Sequence, residues 1–90
     1  MKKLEIIHLR SSRELSETLS NQIIMMIRAA ENNNDSIELF HRMGLESDVA
    51  IHINHSETSE TTESSSLGLR LAASLKEYGM VEHTMWEKLQ

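Results

Sequence analysis

The stretch VAIHIN, Val49–Asn54, alternates apolar residues with smaller or polar ones. Successive side chains of an extended chain point to opposite sides, so the odd-numbered aliphatic residues share one face and the even-numbered residues share the other. The alternation predicts a strand with one buried face. His52 and Asn54 would project from the less apolar face, and His55 would follow the apolar row at the strand's end.

The sequence before this strand predicts another strand and then a helix. LEIIHLR, Leu4–Arg10, is apolar at both odd and even positions, which is typical of a strand with both faces covered. Ser11 and Glu14 have the spacing of a helix capping box. Apolar residues then recur every three or four positions, and the helix should end near residues 31–35, where Asn and Asp favour turns. The apolar stripe consists of Leu15, Leu19, Ile23, Met26, Ile27 and Ala30.

A second strand precedes VAIHIN, and a polar run follows it. SIELFHRM, residues 36–43, predicts the strand, and Gly44 with ESD predicts the turn. SETSETTESSS, residues 56–66, is either a mobile loop or the solvated front of a helix. We expect a helix from about Thr58, because acidic residues interact well with a helix N-terminus.

The last third of the chain predicts the rest of this helix and a final strand. Gly79 is placed as a helix C-terminal cap, and MVEHTMW, residues 80–86, predicts the strand. The helical stripe consists of Leu67, Leu71, Leu75 and Tyr78.

The predicted order is β-α-β-β-α-β, the arrangement of ferredoxin-like α+β domains. We expect a single domain over residues 1–90, with a four-stranded antiparallel sheet and both helices on one face of it. Leu4–Arg10 has aliphatic residues on both sides, and Phe40 opposes Ile37 and Leu39, so the other face would also carry apolar residues. Such patches usually mark interfaces, and a two-fold interface needs only one self-complementary patch. We therefore expect a homodimer formed through this sheet face.

The composition argues against several classes of protein. A chain of 90 residues without cysteine has a small core, no disulfides and no thiol chemistry, so oligomerisation is the expected supplement. A net charge of −5 with scattered basic residues offers no track for nucleic-acid phosphates. MKKLEIIHLR lacks a signal-peptide cleavage site, and no apolar run approaches the roughly 20 residues needed to span a bilayer. We expect a soluble, cytoplasmic protein with no nucleic-acid or membrane partner.

The element order, together with LAASLKEYGMVEHTMWEKL at residues 71–89, resembles the dimeric α+β barrel proteins, which include the antibiotic-biosynthesis-monooxygenase-like group. In that segment a helix and a glycine stop lead into a final strand carrying His83 and Trp86. The resemblance implies that two sheets form a barrel in a dimer. It also implies, for some members, oxidation of aromatic or haem substrates in an enclosed pocket. This sequence differs from the enzymatic members in having few aromatic residues to line such a pocket: Phe40, Tyr78 and Trp86.

Other ferredoxin-like functions lack their characteristic residues here. RNA-recognition domains stack bases on strand aromatics, and Val49–Asn54 has none. Copper-chaperone-like domains need a cysteine pair. Acylphosphatase-like chemistry needs a glycine-rich phosphate loop with an arginine. Amino-acid-sensing domains often have a glycine in the turn after the first strand, where this chain reads LRSSRE.

Histidines lie on or beside every predicted strand. Imidazole can bind metals, transfer protons near neutral pH or form ordinary hydrogen bonds. His52 and His55 are three apart, so a regular strand sends them to opposite faces, and no metal-ligand spacing is present. We expect no metal and no cofactor, and we prefer structural or solvated histidines to a ligand-binding or proton-transfer role. The candidate ligand-binding residues are His8, His41, His52, Asn54, His83 and Trp86.

Two functions of different classes stay open at this point. The preferred one is a small-ligand-binding or assembly module without chemistry of its own, in which Trp86 packs across an interface and Asn54 bonds the nearby turn. The alternative is a cofactor-free monooxygenase-like enzyme acting on an aromatic or haem-like substrate, with histidines that move protons beside Trp86. An enclosed pocket with convergent polar groups would favour the enzyme.

Overall fold

A computed structural model describes residues 2–11, 17–30, 35–55 and 65–90 of the 90-residue chain. The elements alternate in the order strand, helix, two strands, helix, a short 3-10 helix and a last strand. Their bounds are β1 Lys3–Ser11, α1 Glu17–Ala30, β2 Asp35–Arg42, β3 Leu45–His55, α2 Ser66–Leu75, the 3-10 helix Lys76–Tyr78 and β4 Gly79–Glu87. None of the described helices has the length and apolar character needed to cross a membrane.

The four strands form one antiparallel sheet in the order β2-β3-β1-β4. In the centre of the sheet, Ile7 of β1 lies opposite Ile51 of β3 on one side and His83 of β4 on the other. A two-residue turn with Gly44 at φ 85° joins β2 to β3. Glycine suits that turn because it adopts a positive φ without steric cost.

Each face of the sheet has its own character, because neighbouring residues of a strand point to opposite sides. The odd-numbered residues of β1, β2 and β3 meet the two helices and form the core, as the alternation of VAIHIN predicted. The even-numbered residues of all four strands make up the other side, called here the open face. The buried core consists of Ile7, Leu9, Ile23, Ile27, Ile37, Ile51, Ile53, Leu71, Ala72 and Leu75.

Both helices therefore pack on the same face of the sheet. α1 buries Ile23 and Ile27, two members of its predicted stripe, and Met26 packs against the core. α2 buries Leu71 and Leu75 at the spacing of one helical turn. The α+β class and the antiparallel sheet with two helices are confirmed.

Three local predictions differ from the structure. The residues ESD lie within β3, because Met43 and Gly44 suffice for the turn. The continuous helix expected from about Thr58 is wrong at Ser65, which has an extended backbone and precedes α2 as its N-cap. The last turn is a 3-10 helix, so Gly79 is the C-cap of that helix, where the sequence suggested the end of α2 itself, and it also begins β4 in an extended conformation.

The capping box of Ser11 and Glu14 and most of the polar run at residues 56–66 lie outside the described residues.

Candidate functional site

The most unusual buried group is the carboxylate of Glu5 on β1. Glu5 lies on the helix-facing side of β1, in line with Ile7 and Leu9, and its side chain is completely buried. The strands beside β1 each provide an imidazole: His55 Nε2 lies 2.8 Å from Glu5 Oε1, and His83 Nε2 lies 2.5 Å from Glu5 Oε2. An ionised carboxylate can only accept hydrogen bonds, so both imidazoles donate through Nε2.

The first turn of α2 completes this arrangement. Ser65 Oγ donates to Glu5 Oε1 at 2.6 Å and accepts from the backbone N–H of Gly68 at 2.9 Å, which is the N-cap hydrogen bond. The backbone N–H of Ser65 also points at the carboxylate, 3.3 Å from Oε2. Gly68 is buried against Glu5, and a Cβ atom there would collide with the carboxylate. We call Glu5, His55, Ser65 and His83 the Glu5 cluster.

Two opposing effects act on the pKa of Glu5. Burial raises the pKa because it disfavours the charged form, whereas hydrogen bonds from Ser65, His55 and His83, together with the charge interaction with His83, lower it. The hydrogen bonds and the charge interaction outweigh burial, so the pKa of Glu5 lies below its ordinary value. The carboxylate is therefore ionised at neutral pH. Its chemistry is that of an acceptor that fixes two imidazoles and a helix N-terminus.

A second carboxylate lies on the open face. The side chain of Asp48 on β3 is only 9% exposed, although this side of the sheet carries no helix. Its Oδ2 atom lies 3.2 Å from His8 Nε2, 3.8 Å from an Nη atom of Arg42 and 4.0 Å from Arg10 Nε. We call these four residues the Asp48 cluster. It places two cations beside one buried anion at the end of the face next to the turn at Gly44.

The rest of the open face mixes apolar and polar residues, among them Glu38, His52, Asn54 and Glu82. Leu4 and Ile6 of β1 are half-buried, while Phe40 is 45% and Trp86 is 56% exposed. The indole Nε1 of Trp86 donates to Thr84 Oγ1 at 2.8 Å, and these residues share one side of β4. This hydrogen bond holds the indole along the strand.

A cleft of about 380 Å³ lies between α1 and β2 and is open to solvent on one side. Its walls are mainly aliphatic, with Ile23 and Ile24 from the helix and Leu39 and Val49 from the sheet. Ser20 and His41 supply polar groups to the lining. Such a cleft can hold a small, mainly apolar molecule.

The structure separates the candidate residues derived from the sequence. His83 belongs to the Glu5 cluster, His8 belongs to the Asp48 cluster, and His41 lines the cleft. On the open face, the ring of His52 lies 4.6 Å from that of Phe40, and Asn54 Nδ2 donates to Glu38 Oε1 at 3.0 Å. Asn54 therefore bonds a neighbouring strand, whereas the sequence suggested the nearby turn.

Trp86 and His83 lie on opposite faces of the sheet, because they differ by three positions on one regular strand. Within the described ranges, no three acidic, histidine or cysteine residues are positioned to hold a metal ion.

Of the eight residues that form these two clusters, the candidate residues derived from the sequence include only His8 and His83. Glu5 falls inside the first predicted strand and is not singled out there, and Ser65 belongs to the polar run expected to form a helix. Asp48 falls in the predicted turn, and Arg10 and Arg42 count only among the scattered basic residues. The position of Glu5 could have indicated its burial, because Glu5 is two residues from Ile7 and therefore points to the same, buried side of the strand.

No model of a protein family and no curated protein matches this chain.

Proposed function

We propose that the protein is a ferredoxin-like assembly module that forms a homodimer through its open face. The sheet order β2-β3-β1-β4, with each helix between two strands and both helices on one side, supports the ferredoxin-like arrangement. The observation that carries the assembly is the apolar surface on the side of the sheet that the helices leave uncovered. Leu4 and Ile6 on β1 lie beside Trp86 on β4, and Phe40 on β2 lies across β3 from them.

The composition of the face suits a second copy of the chain. Among the open-face residues whose side chains the structure describes, Arg10 and Arg42 stand against the three carboxylates of Glu38, Asp48 and Glu82, a balance of −1 in a chain of net charge −5. Two copies can meet there without bringing strongly like-charged surfaces together. Aromatic residues with one polar atom are typical of interface centres, and Trp86 has its indole already oriented by Thr84.

The small size of the domain also favours a second copy of the chain as the partner. A domain of this size buries a modest fraction of its surface, and oligomerisation is one common supplement when disulfides are absent. A two-fold dimer needs only one surface that is complementary to itself. The homodimer would cover the apolar residues of the open face in a single step.

Sedimentation velocity across a micromolar concentration range tests this proposal. We expect a dimer, and Trp86→Ala should weaken it roughly 30-fold, which corresponds to the ~2 kcal/mol of an interface hot spot. Met25→Ala is the matched control, because Met25 is an exposed apolar residue on α1, away from the sheet. A wild-type protein that sediments as a monomer throughout this range would refute the assembly.

A second candidate function, small-ligand binding, is favoured by the cleft between α1 and β2. Its volume of about 380 Å³ is within the range of known ligand pockets, and it combines aliphatic walls with Ser20 and His41. The ligand would be a small, mainly apolar molecule carrying one hydrogen-bonding group. A ligand-observed NMR screen of small aromatic and aliphatic compounds tests it. Binding of the compounds found should weaken in His41→Ala and stay unchanged in His52→Ala. Binding that is unchanged in both variants would exclude this cleft.

The enzyme hypothesis has less support. It requires an imidazole that transfers protons to a substrate stacked on Trp86, but His83 lies on the other face of the sheet and bonds Glu5. His52 shares the face of Trp86, but β1 lies between β3 and β4 in the sheet, so the two side chains are not on neighbouring strands. Absence of haem and quinol binding in a titration would remove this alternative, whereas binding lost on His52→Ala would revive it.

A further inference from the structure

The Asp48 cluster contains hydrogen-bond donors that its own carboxylate does not use. Arg10 Nε and the Arg42 Nη atom lie 4.0 Å and 3.8 Å from Asp48 Oδ2, beyond hydrogen-bond distance. Neither guanidinium makes a hydrogen bond to another residue in the parts of the chain that the structure describes. Both side chains are 59% exposed, so their remaining N–H groups are accessible.

Asp48 holds the two cations near one point. Because these nitrogens lie 4.0 Å and 3.8 Å from the same oxygen, they are at most about 8 Å from each other despite their like charge. Asp48 is nearly buried beneath them and its Oδ2 atom contacts His8, so the anion that gathers the arginines is itself fixed by the sheet. Arginines assembled in this way are preorganised, which lowers the entropic cost of binding an anion.

The charge of the cluster is unbalanced. Two guanidinium groups face one carboxylate, which leaves an excess positive charge when His8 is neutral. A carboxylate or phosphate group can bridge the Arg10 and Arg42 guanidinium groups. Two of its oxygens would each accept a hydrogen bond of about 2.9 Å, one from each arginine. Arginine is well suited to such oxyanions because its planar fork matches their geometry.

We propose that Arg10 and Arg42, positioned by Asp48, bind the carboxylate or phosphate group of a small molecule. The site is at the end of the open face beside the turn at Gly44, whereas Leu4 and Trp86 lie at the opposite end of the sheet. It therefore borders the proposed dimer interface and does not depend on it.

Titration of the full chain with sodium phosphate and, separately, sodium acetate tests the site, followed by ¹H–¹⁵N NMR at low and constant ionic strength. We expect saturable shifts at Arg10, Arg42 and Asp48. Each single substitution, Arg10→Ala or Arg42→Ala, should weaken binding at least fivefold, and the double variant should abolish saturation. Saturation by phosphate alone would assign a phosphorylated ligand, and saturation by both ions would assign a carboxylate as well.

Matched controls separate a site from general attraction of anions. Arg28→Ala and Arg70→Ala remove exposed arginines on α1 and α2 and should leave the binding curve unchanged. Arg42→Lys keeps the charge but loses the fork, so it should bind more weakly than the wild type and more tightly than Arg42→Ala. The proposal is overturned if neither ion saturates the wild type, or if Arg70→Ala weakens binding as much as Arg42→Ala. A monomeric wild type that still saturates would refute the dimer alone.

Discussion

Glu5→Ala is the substitution that tests the Glu5 cluster most directly. It removes the acceptor of three hydrogen-bonding side chains, His55, Ser65 and His83, which belong to β3, the N-terminus of α2 and β4. It also leaves a space at a position that is completely buried. The three donors stay largely buried but lose this acceptor, and leaving a buried donor without its acceptor costs free energy.

The expected loss of stability follows from these contacts. Hydrogen bonds to a charged group contribute roughly 1.5–3 kcal/mol each, so the three side-chain bonds together supply about 6 kcal/mol. Removing the carboxylate also removes its desolvation cost of several kcal/mol, which offsets about half of that sum. We expect a net loss of about 3 kcal/mol in the free energy of unfolding. For a domain of this size this lowers Tm by roughly 12–24 °C.

Urea unfolding of the wild type and Glu5→Ala, measured between pH 3 and pH 7, is the assay. Folding lowers the pKa of Glu5, so the unfolded chain binds more protons and the contribution of Glu5 is present above about pH 4.5, the ordinary value. That contribution is lost as the pH falls through the lowered folded value, and the gap between the two proteins should narrow there. Glu82→Ala, an exposed strand residue, should cost less than 0.5 kcal/mol. A Glu5→Ala loss under 1 kcal/mol, or a gap that does not change with pH, would refute the reasoning.

Three further predictions concern the same regions. Gly68→Ala should destabilise the protein by about 1–3 kcal/mol, because the added Cβ collides with the Glu5 carboxylate, although alanine favours helices. The control is Ala73→Gly, the reverse change on the exposed side of α2, which should cost about 1 kcal/mol. Ser65→Ala should cost about 1–2 kcal/mol by removing the N-cap, measured by thermal unfolding, and a neutral result would contradict the cap. Elemental analysis after dialysis should find no stoichiometric zinc, nickel or iron, and one metal per chain would overturn that expectation.

The sequence predicted the elements well where a pattern repeats. The alternation around Ile51 and the helical spacing of Leu71 and Leu75 both reflect burial against a single core, so local pattern and tertiary structure agree. The predicted starts of β3 and of α2 were less accurate. ESD is polar and resembles a turn, yet pairing with β1 and β2 extends the strand through it.

The candidate site was predicted only in part, because its geometry depends on pairs far apart in the chain. Nothing local distinguishes Ser65 from its serine neighbours; its role comes from Glu5, 60 positions earlier. In contrast, the separation of His83 and Trp86 follows from their odd and even positions on one strand, and the sequence alone contained that information. The register that brings His55 and His83 to the same carboxylate comes from strand pairing, which the sequence does not determine.

The long reach of the Glu5 cluster has a consequence for the order of folding. Glu5 is 50 positions from His55, 60 from Ser65 and 78 from His83. Almost the whole chain must therefore be synthesised before all three hydrogen-bond partners of its carboxylate are present. A nascent chain that has emerged only through α2 would have to bury a charge with one imidazole still missing. Closing such long loops is entropically costly and slows folding. We therefore expect the domain to acquire protease resistance in one late step, after β4 has left the ribosome, with no stable intermediate made of β1, α1, β2 and β3.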